Sequence, residues 1–239
     1  VHHAVTRWFE EHVRPMLVAH YALDLPRVRA CYAAAAESLA AEPRADLRAA
    51  KHLRLECYRV IVLDVLGEAA EAAAAYGAVL ADCAAAQPGP VSRSMAALVL
   101  LLMRLHADCR GTQPLGAEEL QRLAAAVPEG DRGPNYWQEL ACWAFAHEDA
   151  ELLGHAYEYF ITSRRNDMAD FMFCRLRLMH QMHEGRATPE AVVDALERID
   201  LRIQLEDFRR MLLPSIEQRG LLTPLVRAAL DTKEVQLER

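Results

Sequence analysis

The run Leu66-Gly67-Glu68-Ala69-Ala70-Glu71-Ala72-Ala73-Ala74-Ala75-Tyr76-Gly77-Ala78-Val79-Leu80 constrains this chain more than any other. Coiled as a helix, it brings Gly67, Ala72, Tyr76 and Leu80 onto one face, small side chains beside large ones. Such a face lets a second helix approach closely while the large residues plug the gaps, and so it builds stacked helix pairs. Strands have no comparable signal. Sustained apolar/polar alternation is missing, whereas 3.6-residue spacing recurs throughout. Alanine supplies much of the 53% hydrophobic content and aromatics only 7%, which suits helix packing over the β-branched and aromatic demands of a sheet. An all-α fold is expected.

Local signals divide the chain. Helices are predicted over Val5–His12, from Pro15 to Ala22, and from Pro26, capped by Asp24, to about Glu42. Others follow over Arg44–Leu66, from 67 to about 86, and from Ser92 or Ser94 through the apolar run Met95–Met103, which reads as central. Residues 110–117 and 127–135 are rich in Gly and Pro and bracket a helix over Ala117–Ala126. Further helices are expected at 135–147, 149–163, 166–184, 189–198, 201–219 and 222–231. Thr188 starts one of them, Gly185 and Gly220 are stops, and Pro214 should kink or split its helix. The tail after Thr232 should fray. A single helical domain over 1–239 is expected, with a possible sub-boundary in 110–135. Cys31, Cys57, Cys83 and Cys109 recur at a fixed interval. Ala81-Asp82-Cys83 also returns as Ala107-Asp108-Cys109, which suggests a repeated helix-plus-turn unit.

Gly67 at a small turn position, with Ala72, Tyr76 and Leu80, resembles the second half of a tetratricopeptide repeat. Val28, Tyr32 and Ala35 echo it, as do Leu153, Tyr157 and Phe160. Turn positions lie too far apart for strict 34-residue repeats. The resemblance is to a divergent tetratricopeptide-like or related helical-hairpin array, of the sort found in bacterial signalling and secretion proteins. It implies antiparallel helix pairs stacked as a short right-handed α-solenoid, and a protein- or peptide-binding scaffold without chemistry of its own.

Charge narrows the partners. The net charge of −7 argues against nucleic acid, which demands a basic surface. The longest apolar run is too short to span a bilayer. Six cysteines without a Cys-x-x-Cys pair read as reduced core residues, and a cytoplasmic location is expected. The chain opens on Val1, so a trimmed form or a piece of a longer protein is expected.

Candidate chemistry is sparse. His180, His183 and Glu184 share a helix face, as a metal site or as a polar helix end. No serine sits in a Gly-x-Ser-x-Gly elbow, and Cys109 lies near His106 only in sequence. Gly130-Asp131-Arg132-Gly133-Pro134 follows no strand and reads as a turn, not a phosphate loop. Glu10-Glu11 and Glu118-Glu119 suit first turns or exposed faces. Arg44, Arg48, Lys51 and His52, backed by Arg54 and Arg59, form a basic stripe, either solvated or facing an acidic partner. No cofactor and no metal are expected. Tyr136, Trp137, Tyr159, Arg164 and Arg165 are the binding candidates, since Tyr, Trp and Arg dominate hot spots. The expected function is a non-catalytic scaffold taking a partner peptide or helix in a groove. Alternatives are a ligand-sensing module of a larger regulatory protein and an all-α enzyme whose site assembles only in space.

Overall fold

A computed structural model of the chain describes residues 2–162, 170–200 and 202–237. Every regular element among them is helical. The chain divides at Gly133 into two compact units, Val1–Gly133 and Pro134–Arg239.

In unit 1, α1 (His2–Trp8) runs through a π-helical turn (Phe9–Val13) into α2 (Arg14–Tyr21). It continues as α3 (Leu25–Ala40), α4 (Ala45–Val65), α5 (Ala69–Ala84), α6 (Pro90–Cys109) and α7 (Ala117–Ala126). The separate helices expected around Pro15 are in fact continuous. Proline has no N–H to offer the Glu11 carbonyl, and the ladder shifts locally so that the Arg14 N–H reaches the Phe9 carbonyl. In unit 2, α8 (Pro134–Ala146) and α9 (Ala150–Thr162) are followed by α10 (Asp170–His183) and α11 (Pro189–Glu197). The unit ends with α12 (Arg202–Met211), α13 (Leu213–Gln218) and α14 (Pro224–Leu237). Pro214 does split its helix, whereas the expected fraying tail is helical to Leu237. There Lys233 donates to the carbonyls of Glu197 and Ile199, fixing α14 against the end of α11.

One backbone device folds helices back on each other. Ala22-Leu23-Asp24, Leu66-Gly67-Glu68 and His147-Glu148-Asp149 each join two helices with a left-handed central residue, at φ 54°, 81° and 57°. In each, the third residue's N–H returns to a carbonyl five positions back: Ala19, Leu63 and Ala144, at 3.0, 2.9 and 2.8 Å. Asp24 and Asp149 then cap the next helix, accepting from the Arg27 and Leu152 amides. Gly67 is thus in the turn itself, and the buried face of α5 is Ala72, Ala75 and Val79, with Tyr76 only half-buried.

The middle of unit 1 is α4 and α6. Leu55, Val62, Leu101, Met103 and Leu105 have no exposed surface. A second apolar cluster gathers Trp8, Met16, Val28, Ala35 and Leu39 around Leu55 and Val62. Serine does not start α6 as expected; Pro90 does, and its cap comes from another helix. Asp46, at the start of α4, accepts from the Val91 amide (3.2 Å), the Ser92 amide (2.8 Å) and the Ser92 hydroxyl (2.7 Å). A Cβ on Gly89 would stand 2.3 Å from the Asp46 carboxyl carbon, so only glycine admits this approach. Unit 2 is centred on Leu140, Trp143, Leu153, Leu178, Met182 and Phe208, all buried.

The cysteine interval does not mark a structural unit. Cys31 and Cys57 lie within α3 and α4, Cys83 near the end of α5, and Cys109 is the last residue of α6.

Candidate interaction site

The short turn at His147–Asp149 lays α9 back along α8, and this places residues far apart in sequence side by side. The Trp137 and Tyr159 rings stack with centroids 5.4 Å apart and planes at 25°. Tyr136 meets Trp137 edge-on at 5.1 Å, and Phe160 meets Tyr159 edge-on at 5.3 Å. Each such pair is worth about 0.5–1.5 kcal/mol beyond its buried area. Tyr136 and Phe160 form the inner half of the row, at 4% and 8% exposure, whereas Trp137 and Tyr159 are half-exposed. Three of the sequence candidates are therefore together, but Tyr136 is a core residue and not a surface one. Arg164 and Arg165 lie outside the described residues. The outer pair offers flat apolar faces with a hydroxyl and an indole N–H, a combination that suits peptide side chains and guanidinium groups.

The remaining candidates resolve into internal contacts. The His180 Nδ1 lies 3.1 Å from Glu184, and its ring stacks on Tyr157 at 4.5 Å. Glu184 also pairs with Arg186, which holds its carboxyl below the usual range. No group of three or more potential metal ligands occurs among the described residues. The basic stripe is spent inside unit 1. Lys51 is 7% exposed, bonded to Glu42 at 2.7 Å, and its ammonium lies 5.7 Å from the Trp8 ring centre. Arg44 also pairs with Glu42, and Arg48 donates to the Glu42 carbonyl. His52 meets Asp82 at 3.1 Å, Arg54 covers Phe9 and Tyr58, and Arg59 covers Tyr32. The stripe is therefore mixed: Lys51 is enclosed, whereas Arg44, Arg48 and His52 keep much of their surface in solvent while bonding groups of the same unit.

All six cysteines are thiols, none of them in a disulfide. Cys57, Cys142 and Cys174 are buried, but Cys31 and Cys83 are half-buried and Cys109 is exposed, so the core reading holds for only half of them. Burial pushes the Cys83 thiol up to about 12, far from a reactive thiolate at neutral pH. His106 turns to Asp64 at 3.0 Å. The Gly130 loop contains a 3-10 turn over Glu129–Asp131, and the Ser94 hydroxyl donates to Asp131.

One constellation escaped the sequence. Arg175 of α10 is 4% exposed and its guanidinium donates to the Cys142 sulfur of α8 at 3.6 Å. Glu139, one turn before Cys142, keeps part of its surface but has an enclosed carboxyl, which burial raises above the usual range against the opposing pull of Arg175. The available signal was an arginine inside the apolar run Phe171–Leu176. A separate groove of about 460 Å³ runs between α11 and α14, floored by Leu196, Ala228, Ala229 and Thr232.

No helix among the described residues is long and apolar enough to cross a membrane. Comparison with known proteins gives no match to a family model, a curated protein or a solved structure.

Proposed function

We propose that the chain is a non-catalytic scaffold that takes a peptide or helix of a partner protein against the α8–α9 face of unit 2. The observation that carries this reading is the half-exposed Trp137–Tyr159 stack, held in place by the buried rings of Tyr136 and Phe160. Rigid aromatic side chains fixed before binding lose little entropy on docking, which is why they anchor interfaces. An array of stacked helix pairs would fit the same role. In unit 1, α4 packs on its successor α5 and on α6 beyond it, as helices do in stacked pairs. Arg164 and Arg165 belong to this proposal as its cationic members.

The test is recovery of partners from cell extract by the unaltered chain, by Tyr159→Ala, and by Arg164→Glu/Arg165→Glu, with helical content checked by circular dichroism. Loss of one specific partner from the folded Tyr159→Ala variant is expected. Equal recovery from all three would remove the α8–α9 face from consideration.

The enzyme alternative keeps one specific observation, the enclosed Glu139 carboxyl beside Arg175 and Cys142, because perturbed titrating groups cluster at catalytic sites. Burial of the carboxyl in a purely structural setting accounts for the same facts.

A further inference from the structure

Two stretches of unit 1 match each other at an offset longer than any tetratricopeptide unit. α3 and α5 begin at Leu25 and Ala69, 44 residues apart, and α4 and α6 begin at Ala45 and Pro90, 45 apart. At the first offset, Val28, Tyr32 and Ala35 fall on Ala72, Tyr76 and Val79. The four aliphatic residues are buried and both tyrosines are half-buried. At the second, Leu53, Arg59 and Val60 fall on Leu98, Arg104 and Leu105, and again the aliphatic residues are buried. Abundant alanine produces chance matches between small residues. It does not produce a matched tyrosine and arginine that meet corresponding partners.

The partners correspond. Arg59 donates from Nη1 to the Tyr32 hydroxyl at 3.3 Å and from Nη2 to Glu71 at 3.2 Å. Arg104 donates from Nη2 to Glu119 at 3.2 Å and from Nη1 to the Gln113 side-chain oxygen, the same oxygen that accepts from the Tyr76 hydroxyl. Glu71 is the third residue of α5, and Glu119 is the third residue of α7. Each arginine is therefore linked back to the first helix of its own pair, Arg59 directly and Arg104 through Gln113, and reaches forward to the opening turn of the next helix. The planar fork of a guanidinium makes both contacts from one side chain, and an acid in a first turn is favoured there by the helix dipole. The sites differ in what receives the tyrosine proton: Glu56 for Tyr32, and Gln113 for Tyr76 at 3.2 Å. They differ also in that Arg29 holds Glu71 a second time, at 2.8 Å.

We propose that unit 1 uses one helix pair of 44–45 residues twice, and that Tyr32–Arg59–Glu71 and Tyr76–Arg104–Glu119 are one clamp repeated, each locking a pair to the helix that follows it. The clamps resist opening at the two seams, which is the property that sets how far an array of helix pairs can flex.

The experiment is hydrogen exchange on the full chain with Arg59→Met and Arg104→Met, which keep an apolar stem and lose the fork. Arg104→Met should speed exchange in α7 by about two- to fivefold, the range for a partly exposed charged contact, and leave α5 unchanged. Arg59→Met should act on α5 and leave α7 unchanged, with the smaller effect because Arg29 still holds Glu71. The exposed-side variants Glu119→Gln and Glu71→Gln should reproduce the pattern, and they carry the comparison if a methionine variant fails to fold. Uniform acceleration across unit 1, or no change in the following helix, would overturn the clamp.

Discussion

In unit 1 the seams between helices are crossed by guanidinium–carboxylate contacts: Arg59 to Glu71, Arg104 to Glu119, and Arg110 to Asp64 at 2.7 Å. In unit 2 the α8–α9 seam is crossed by rings, and another ring pair, Tyr157 on His180, links α9 to α10. Both units use the same left-handed turn, so the difference lies in the bracing and not in the connection. Charged braces are directional and tie one helix to a chosen turn of another. Stacked rings fix a separation but leave their outer faces as usable surface. The charged seams of unit 1 spend polar groups internally, as Lys51 of α4 also does, whereas the aromatic α8–α9 seam keeps something to offer a partner. Unit 2 has charged braces too, Arg177 to Asp194 and Arg209 to Glu234.

The contrast breaks most sharply at a ring. Trp143 is 3% exposed and stacks on His147 at 4.2 Å, and its indole N–H has no hydrogen-bond acceptor among the described residues. What it supplies is packing. Trp143→Ala should cost about 3–5 kcal/mol in urea denaturation; a loss below about 1 kcal/mol would mean that unit 2 does not depend on its aromatics. For the charged braces the strongest single case is Asp46. Asp46→Ala removes three hydrogen bonds at the start of α6 and should cost about 1–3 kcal/mol. Gly89→Ala should destabilise in the same direction by driving a methyl group into that carboxylate. If Gly89→Ala is neutral, the approach of α4 to α6 is looser than described.

The subtlest difference is one of sign. Arg44 and then Lys51 hold the Glu42 carboxyl down to about 2, well below the ordinary 4.5. A depressed folded pKa stabilises above the unfolded value, and that contribution drains away as pH falls from about 4.5 towards 2. Glu139 behaves oppositely. Its raised pKa means that the charged form is disfavoured in the folded unit, so acidification through that pKa relieves a cost. The Trp8 indole, bonded to Ser38 at 2.9 Å beside Lys51, and the Trp143 indole report the two units separately by NMR. Trp8 should depart from its native position first on acidification, and Glu42→Gln should remove that early departure. Earlier loss at Trp143 would reverse the comparison.

What could be read from the sequence was what is written locally. The bounds of α7, the Asp24 and Thr188 caps, the stops at Gly185 and Gly220, and the split at Pro214 all follow from residues within one turn of the event. What failed involved partners distant along the chain. Ser92 and Ser94 looked like the start of α6 because nothing nearby announces a cap arriving from Asp46. Lys51 looked solvated because the enclosure formed by Trp8 and Glu42 exists only once α1 and the α3–α4 connection close over α4. At the candidate site the residue types were legible. The pairing of Trp137 with Tyr159, and the withdrawal of Tyr136 into the core, depended on a turn whose left-handed residue is Glu148 and not glycine.

The cap on α6 also has a consequence for the order in which this chain can mature. Its amides wait for a carboxylate 45 and 46 residues upstream. α4 is synthesised first, and the Val91 and Ser92 amides gain their acceptor only when α6 arrives beside it. Cut away from α4 and grafted elsewhere, α6 would start ragged, whereas α11 carries its own cap in Thr188 and would travel intact.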